Sequence, residues 1–164
     1  MEDFQVARDK AKKHIQIADH MLTQTYPLVG DPKLLLAVIN NLFLACSHSI
    51  SAILHYERIF KRIPPFVDNF ENKFSIFKAR CLRRYSLDPE YVRLVQEIRS
   101  LIDERSSAPV EFARRDKFII CSENYRMRTI TAESLRKHLE KAKLFVDDMT
   151  GMVSKNERIF TRRV

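Results

Sequence analysis

From Leu34 to Tyr56 the chain carries no Lys, Arg, Asp or Glu, in a protein of which 30% of residues are charged. A charge-free run of this length in so polar a chain belongs in the middle of the fold. Asp31-Pro32 ahead of it is a helix start, because an Asp oxygen accepts from the first free N–H groups and Pro fits the first turn. At 3.6 residues per turn, Leu35, Leu36, Ile39, Leu42, Phe43, Cys46, Ile50, Ile53 and Leu54 cover more than half the circumference. A helix apolar over so wide an arc needs neighbours on two sides, which places it centrally in a bundle. The remaining arc collects Asn40, Asn41, Ser47, His48, Ser51, His55 and Arg58. That many polar groups oppose insertion into a bilayer, so the sequence predicts no membrane span.

The flanking segments supply the neighbours. A first helix is predicted from Asp3 to Tyr26, with Phe4, Ala7, Ala11, Ile15, Ala18, Leu22 and Tyr26 on one face and Pro27 and Gly30 ending it. The central helix is expected to reach Lys61, before Ile63-Pro64-Pro65-Phe66 forces a turn. Asp68 with Glu71 reads as a capping box opening a third helix, whose stripe is Phe70, Phe74, Phe77 and Cys81. Asp88-Pro89 opens a fourth, with Tyr91, Leu94, Val95, Ile98, Leu101 and Ile102 inward until Ser106-Ser107-Ala108-Pro109. The period then changes. Lys117–Cys121 and Tyr125–Ile130 read as two strands around Ser122-Glu123-Asn124, a hairpin within about 110–130. Thr131 caps a last helix bearing Leu135, Leu139, Ala142, Phe145, Val146 and Met149, with Gly151 ending or kinking it before a basic tail, 152–164. The expected fold is mainly α, a five-helix bundle with a small β-hairpin inserted before the last helix, in one domain spanning 1–164.

Composition narrows the chemistry. With two glycines the phosphate-cradling loops of nucleotide-binding folds are missing. Cys46, Cys81 and Cys121 are far apart, with no CxxC pair, so neither a zinc site nor a disulfide framework is expected. The N-terminus lacks an apolar signal region, and a cytoplasmic location is expected. The formal charge of +8 favours phosphate-rich partners, RNA above all.

Two constellations stand out. His48, Ser51 and His55, with Asn41 a little earlier, form a polar seam along the central helix. His48 and His55 are about 10 Å apart along its axis, too far to share one ion, so no metal or cofactor is expected there. The seam reads as a packed polar contact or as a subunit interface. Its serines sit inside a helix and not on a strained turn, and no catalytic residue is assigned. The second constellation is basic. Arg114, Arg115 and Lys117 lead into the first strand, and Arg126 and Arg128 share a face of the second, so a ribbon with outward arginines would follow a phosphate backbone. Arg80, Arg83 and Arg84 close the third helix as an accessory cluster, part of which serves the helix dipole.

The first two helices, ARDKAKKHIQIADHMLTQTYPLV and DPKLLLAVINNLFLACSHSISAILHYERI, resemble those of HEPN domains. The chain is also similar to archaeal proteins of comparable length with a hairpin before the final helix, a likeness that implies no function. HEPN domains are helical bundles linked to RNA cleavage or nucleotide binding, and their ribonucleases place an Arg and a His a few residues apart toward the end of the bundle. Here that pair would be Arg8 and His14, in the first helix and about 120° apart around it. The resemblance therefore implies RNA binding more than RNA cutting. The expected function is a non-enzymatic domain binding RNA or a ribonucleoprotein, the ribosome included. The alternatives are a homodimeric protein-interaction module using the polar seam and a divergent HEPN-type ribonuclease using Arg8 and His14.

Overall fold

The computed structural model describes residues 3–155. Helix α1 (Asp3–His20) continues through one π turn, Met21–Thr25, into a last turn, Tyr26–Val29. Pro27 therefore does not end it, contrary to the sequence expectation. A proline ring meets the carbonyl four residues back in a regular helix, and the wider turn just before Pro27 relieves that contact. The stop is Gly30, whose φ of +69° suits glycine and whose N–H donates to the Tyr26 carbonyl at 2.8 Å.

Helix α2 (Lys33–Ile59) contains the charge-free run. Both Asp-Pro pairs act as read: Asp31 Oδ1 accepts from the Lys33 N–H at 3.0 Å, and Asp88 Oδ1 from the Glu90 N–H at 2.9 Å. Helix α3 begins with Phe70–Ile76 and runs through a π turn, Phe77–Cys81, to Leu82–Arg84. Its cap is Asn69 and not Asp68: Asn69 Oδ1 accepts from the Asn72 N–H at 2.8 Å, while Asp68 is drawn away into an ion pair with Lys73. Helix α4 (Glu90–Ser107) and helix α5 (Ala132–Ser154) complete the bundle. Gly151 neither ends nor kinks α5, which continues to Ser154. Most of the basic tail, 156–164, lies outside the described residues.

By length and composition α2 is apolar enough to cross a membrane. In the fold it is the central helix, with α1, α3, α4 and α5 all packed against it. Leu35, Val38, Leu42, Ala45, Cys46 and Ile53 on it are fully buried. At about 25 cal/mol per Å² of apolar surface, such an interior holds the bundle together without disulfides or metal. The α1 stripe from Phe4 to Tyr26 is buried as its period predicts.

The insert is larger than a hairpin. Strand β1 (Val110–Arg114), β2 (Lys117–Cys121) and β3 (Met127–Thr131) form an antiparallel sheet in that order. Strand β1 escaped the sequence reading because it follows Pro109 directly and every one of its residues is exposed. The β2–β3 connection is also longer than expected. Ser122 N–H donates to the Arg126 carbonyl at 2.9 Å, and Tyr125, at φ +59°, lies in the turn and not in the strand. Phe118, Ile120 and Ile130 are buried on the inner face and join the same core as the helices. Thr131 caps α5, its Oγ1 accepting from the Ser134 N–H at 3.1 Å while Ser134 Oγ accepts in return from the Thr131 N–H.

Candidate nucleic-acid interface

Glu57 is the only carboxylate in α2, and only 1% of its side chain is exposed. A buried carboxylate needs partners, since burial without them is costly. Three reach it from outside the helix. Tyr85 donates its hydroxyl to Oε1, Arg62 Nη1 lies 3.4 Å from the same oxygen, and Arg84 Nε is 3.3 Å from Oε2. Burial and the hydrogen bond to Glu57 push the Tyr85 hydroxyl well above its ordinary pKa, so it stays a donor. Burial, with Glu57 nearby, likewise pushes the Cys81 thiol up to about 12 and leaves it inert.

These contacts gather arginines. Arg62, Ala79, Arg80, Arg83 and Arg84 line one depression of about 420 Å³ at the end of α3. Four arginines line it, and one carboxylate lies beneath two of them. Arg62 and Arg84 are tethered from below by Glu57, while Arg80 and Arg83 are exposed on the final turns of α3. Arg62 also stacks over Phe60, with the guanidinium carbon 4.7 Å from the ring centre. Held guanidiniums around a concavity suit phosphate oxygens, which they can grip bidentately. Sequence reading names Arg80, Arg83 and Arg84 but lacks Arg62, and it places Glu57 near the polar seam without a role in this cluster. A lone acid inside an apolar helix was the available signal.

The basic residues of the sheet fare differently. Arg114 and Lys117 face each other across the β1–β2 turn, and Arg115 sits in it at φ +55°. All three are exposed. Arg126 is exposed in the β2–β3 turn, outside β3. Arg128 corrects the expected outward ribbon. It pairs across the sheet with Ile120, on the inner face, and its Nη1 reaches Glu104 Oε1 at 2.9 Å and Ser100 Oγ at 3.2 Å on α4. Its neighbour on the far strand, Glu111, answers Arg105 of α4 at 3.1 Å. These two ion pairs of opposite sense fasten the sheet to the helix, so Arg128 is a structural cation.

The polar seam is largely a contact between α1 and α2. Asn41 donates to the Ala37 carbonyl at 2.9 Å, and its Oδ1 lies 3.0 Å from His14 Nδ1. His14 stacks on His48 with centroids 5.5 Å apart. Further along, Lys73 Nζ donates to Ser51 Oγ at 3.0 Å, and His55 packs on Phe66. His48, Ser51 and His55 line a cleft of about 370 Å³ with Lys10, Asp68 and Lys73. Burial first, then electrostatic interaction with His14, Lys10 and Lys73, lowers the His48 pKa to about 4, and burial lowers that of His55. The His48 ring is neutral at pH 7. Among the described residues no group of His, Cys, Asp or Glu could hold a metal ion. Arg8 reaches toward Ser154 of α5 at 3.4 Å, whereas His14 faces α2, so the two point at different helices.

No protein-family model, curated protein or solved structure matches this chain.

Proposed function

We propose that the chain is a non-enzymatic, cytoplasmic domain that binds RNA, alone or within a ribonucleoprotein, by seating backbone phosphates over Arg62, Arg80, Arg83 and Arg84. The observation that carries this reading is the convergence of four arginines on one depression, two of them held by a buried carboxylate. Held cations lose little freedom on binding, and phosphate contacts supply most of the affinity of a protein for RNA. The exposed Arg114, Arg115 and Lys117 at the sheet turn, with Arg126, add a second cationic surface that steers the polyanion. A filter-binding titration of a structured RNA against rising salt tests the reading. Affinity should fall steeply with salt, and an Arg80→Ala/Arg83→Ala variant should bind about tenfold more weakly with a shallower salt slope. No binding at low salt, or unchanged binding by the double variant, would overturn it.

A further inference from the structure

The outer face of the sheet is built unlike the rest of the surface. Its rows, set by the strand register, are Val110–Cys121–Met127, then Phe112–Ile119–Thr129, then Arg114–Lys117–Thr131. Val110, Phe112 and Met127 are 51%, 40% and 68% exposed. A contiguous apolar patch of this kind marks an interaction surface. Its β1–β2 end is net cationic, with Arg114, Arg115 and Lys117 around Asp116, while at the other turn Arg126 and Glu123 balance beside Tyr125, which is 89% exposed.

Charge decides between the two kinds of partner such a face could take. A second copy laid face to face would bring together two chains of net charge +8, each with the uncompensated cations of its β1–β2 turn. A single-stranded nucleic acid satisfies both features, because each base has a flat face that stacks on aromatic and apolar side chains while its phosphates meet flanking cations. Thr129 adds an exposed hydroxyl that can meet a base edge or a 2′-OH. The inner-face pairs Arg105–Glu111 and Glu104–Arg128 hold the sheet against α4. We propose that the outer sheet face is a platform for unpaired bases, so that the partner is RNA with a single-stranded segment; this rests on the RNA-binding reading above. The sheet packs near Ile39 of α2 and the arginine depression near Glu57. That separation is about 27 Å along the helix, so one strand touching both would be several nucleotides long.

The test uses the full chain with two probes, an oligouridylate of about 12 nucleotides and an RNA duplex of the same length. Phe112→Ala should weaken oligouridylate binding roughly tenfold and leave duplex binding unchanged. In the unaltered protein, added oligouridylate should slow alkylation of Cys121; Cys46 and Cys81 are buried, so the label reports on the sheet face. That protection decides the matter if the variant unfolds. Unchanged oligouridylate affinity in Phe112→Ala, or an unprotected Cys121 with oligouridylate bound, would overturn the platform, while continued sensitivity to Arg80→Ala/Arg83→Ala would leave the RNA-binding reading standing. Binding to neither probe would overturn both. A dimer in light scattering that Phe112→Ala dissolves would assign the face to a second copy instead.

Discussion

The end of α3 and the sheet both carry closely spaced arginines, yet they deploy them in different ways. At the end of α3, Arg80, Arg83 and Arg84 are joined by Arg62 from beyond α2, and all four line one depression. In the sheet, Arg114 and Arg115 occupy one turn, Arg126 occupies another, and Arg128 turns inward to Glu104. Proximity in sequence does not make a binding site; convergence does. At the end of α3 convergence comes from Glu57, which is buried away from water and pairs with the guanidiniums of Arg62 and Arg84. The carboxylates that join the sheet to α4, Glu111 on β1 and Glu104 on α4, are partly exposed and each takes one arginine as a fastening.

The sharpest way to break this contrast is Glu57→Gln. Losing the buried charge beneath Arg62 and Arg84 should cost about 2–3 kcal/mol of unfolding free energy in urea titration. RNA affinity should also fall, although the net charge becomes more positive. An affinity that rises instead would mean that charge count, not convergence, governs binding. A smaller effect is expected from comparing two single charge removals. Arg83→Ala should weaken RNA binding by about three- to tenfold and reduce the salt slope by about one, whereas Arg128→Ala should leave affinity within about twofold. Equal losses would erase the difference between the two regions.

His48 offers a partly buried group with a different environment, a cleft shared with Lys10 and Lys73 as well as Asp3 and Asp68. Its folded pKa of about 4 lies below the unfolded value of 6.5, so the unfolded chain binds the extra proton first. The stabilising effect of a neutral His48 is complete above pH 6.5 and is lost progressively as pH falls toward 4. Because the ring is partly exposed, solvent screening reduces this to about 1 kcal/mol. His48→Gln should flatten that part of the melting temperature against pH curve, and an unchanged slope would remove His48 from the account. The least effect is expected on stability in Arg128→Ala. Its ion pair with Glu104 is partly exposed, so thermal unfolding should register about 0.5 kcal/mol.

The helices were legible because their signals are local. The α1 stripe, the Asp-Pro starts and the Thr131 cap each lie within a few residues of what they determine. Strand β1 was not, since a fully exposed edge strand lacks the alternation that burial imposes. The facing of Arg128 was lost for a related reason. Period alone groups Arg126, Arg128 and Ile130, but which face turns inward depends on what the helices present, and α4 presents Glu104 and Ser100. Of the basic site, the sequence reading held the three arginines of α3 and lacked Arg62, which the turn after α2 brings back toward them.

What the sequence alone determined, then, is the central charge-free helix, its neighbours and the mainly α class, because hydrophobic period and capping act over one or two turns. Only the tertiary structure decided which arginines converge and which are absorbed. That outcome depends on a buried carboxylate meeting side chains from distant segments, a long-range electrostatic match that no local pattern records.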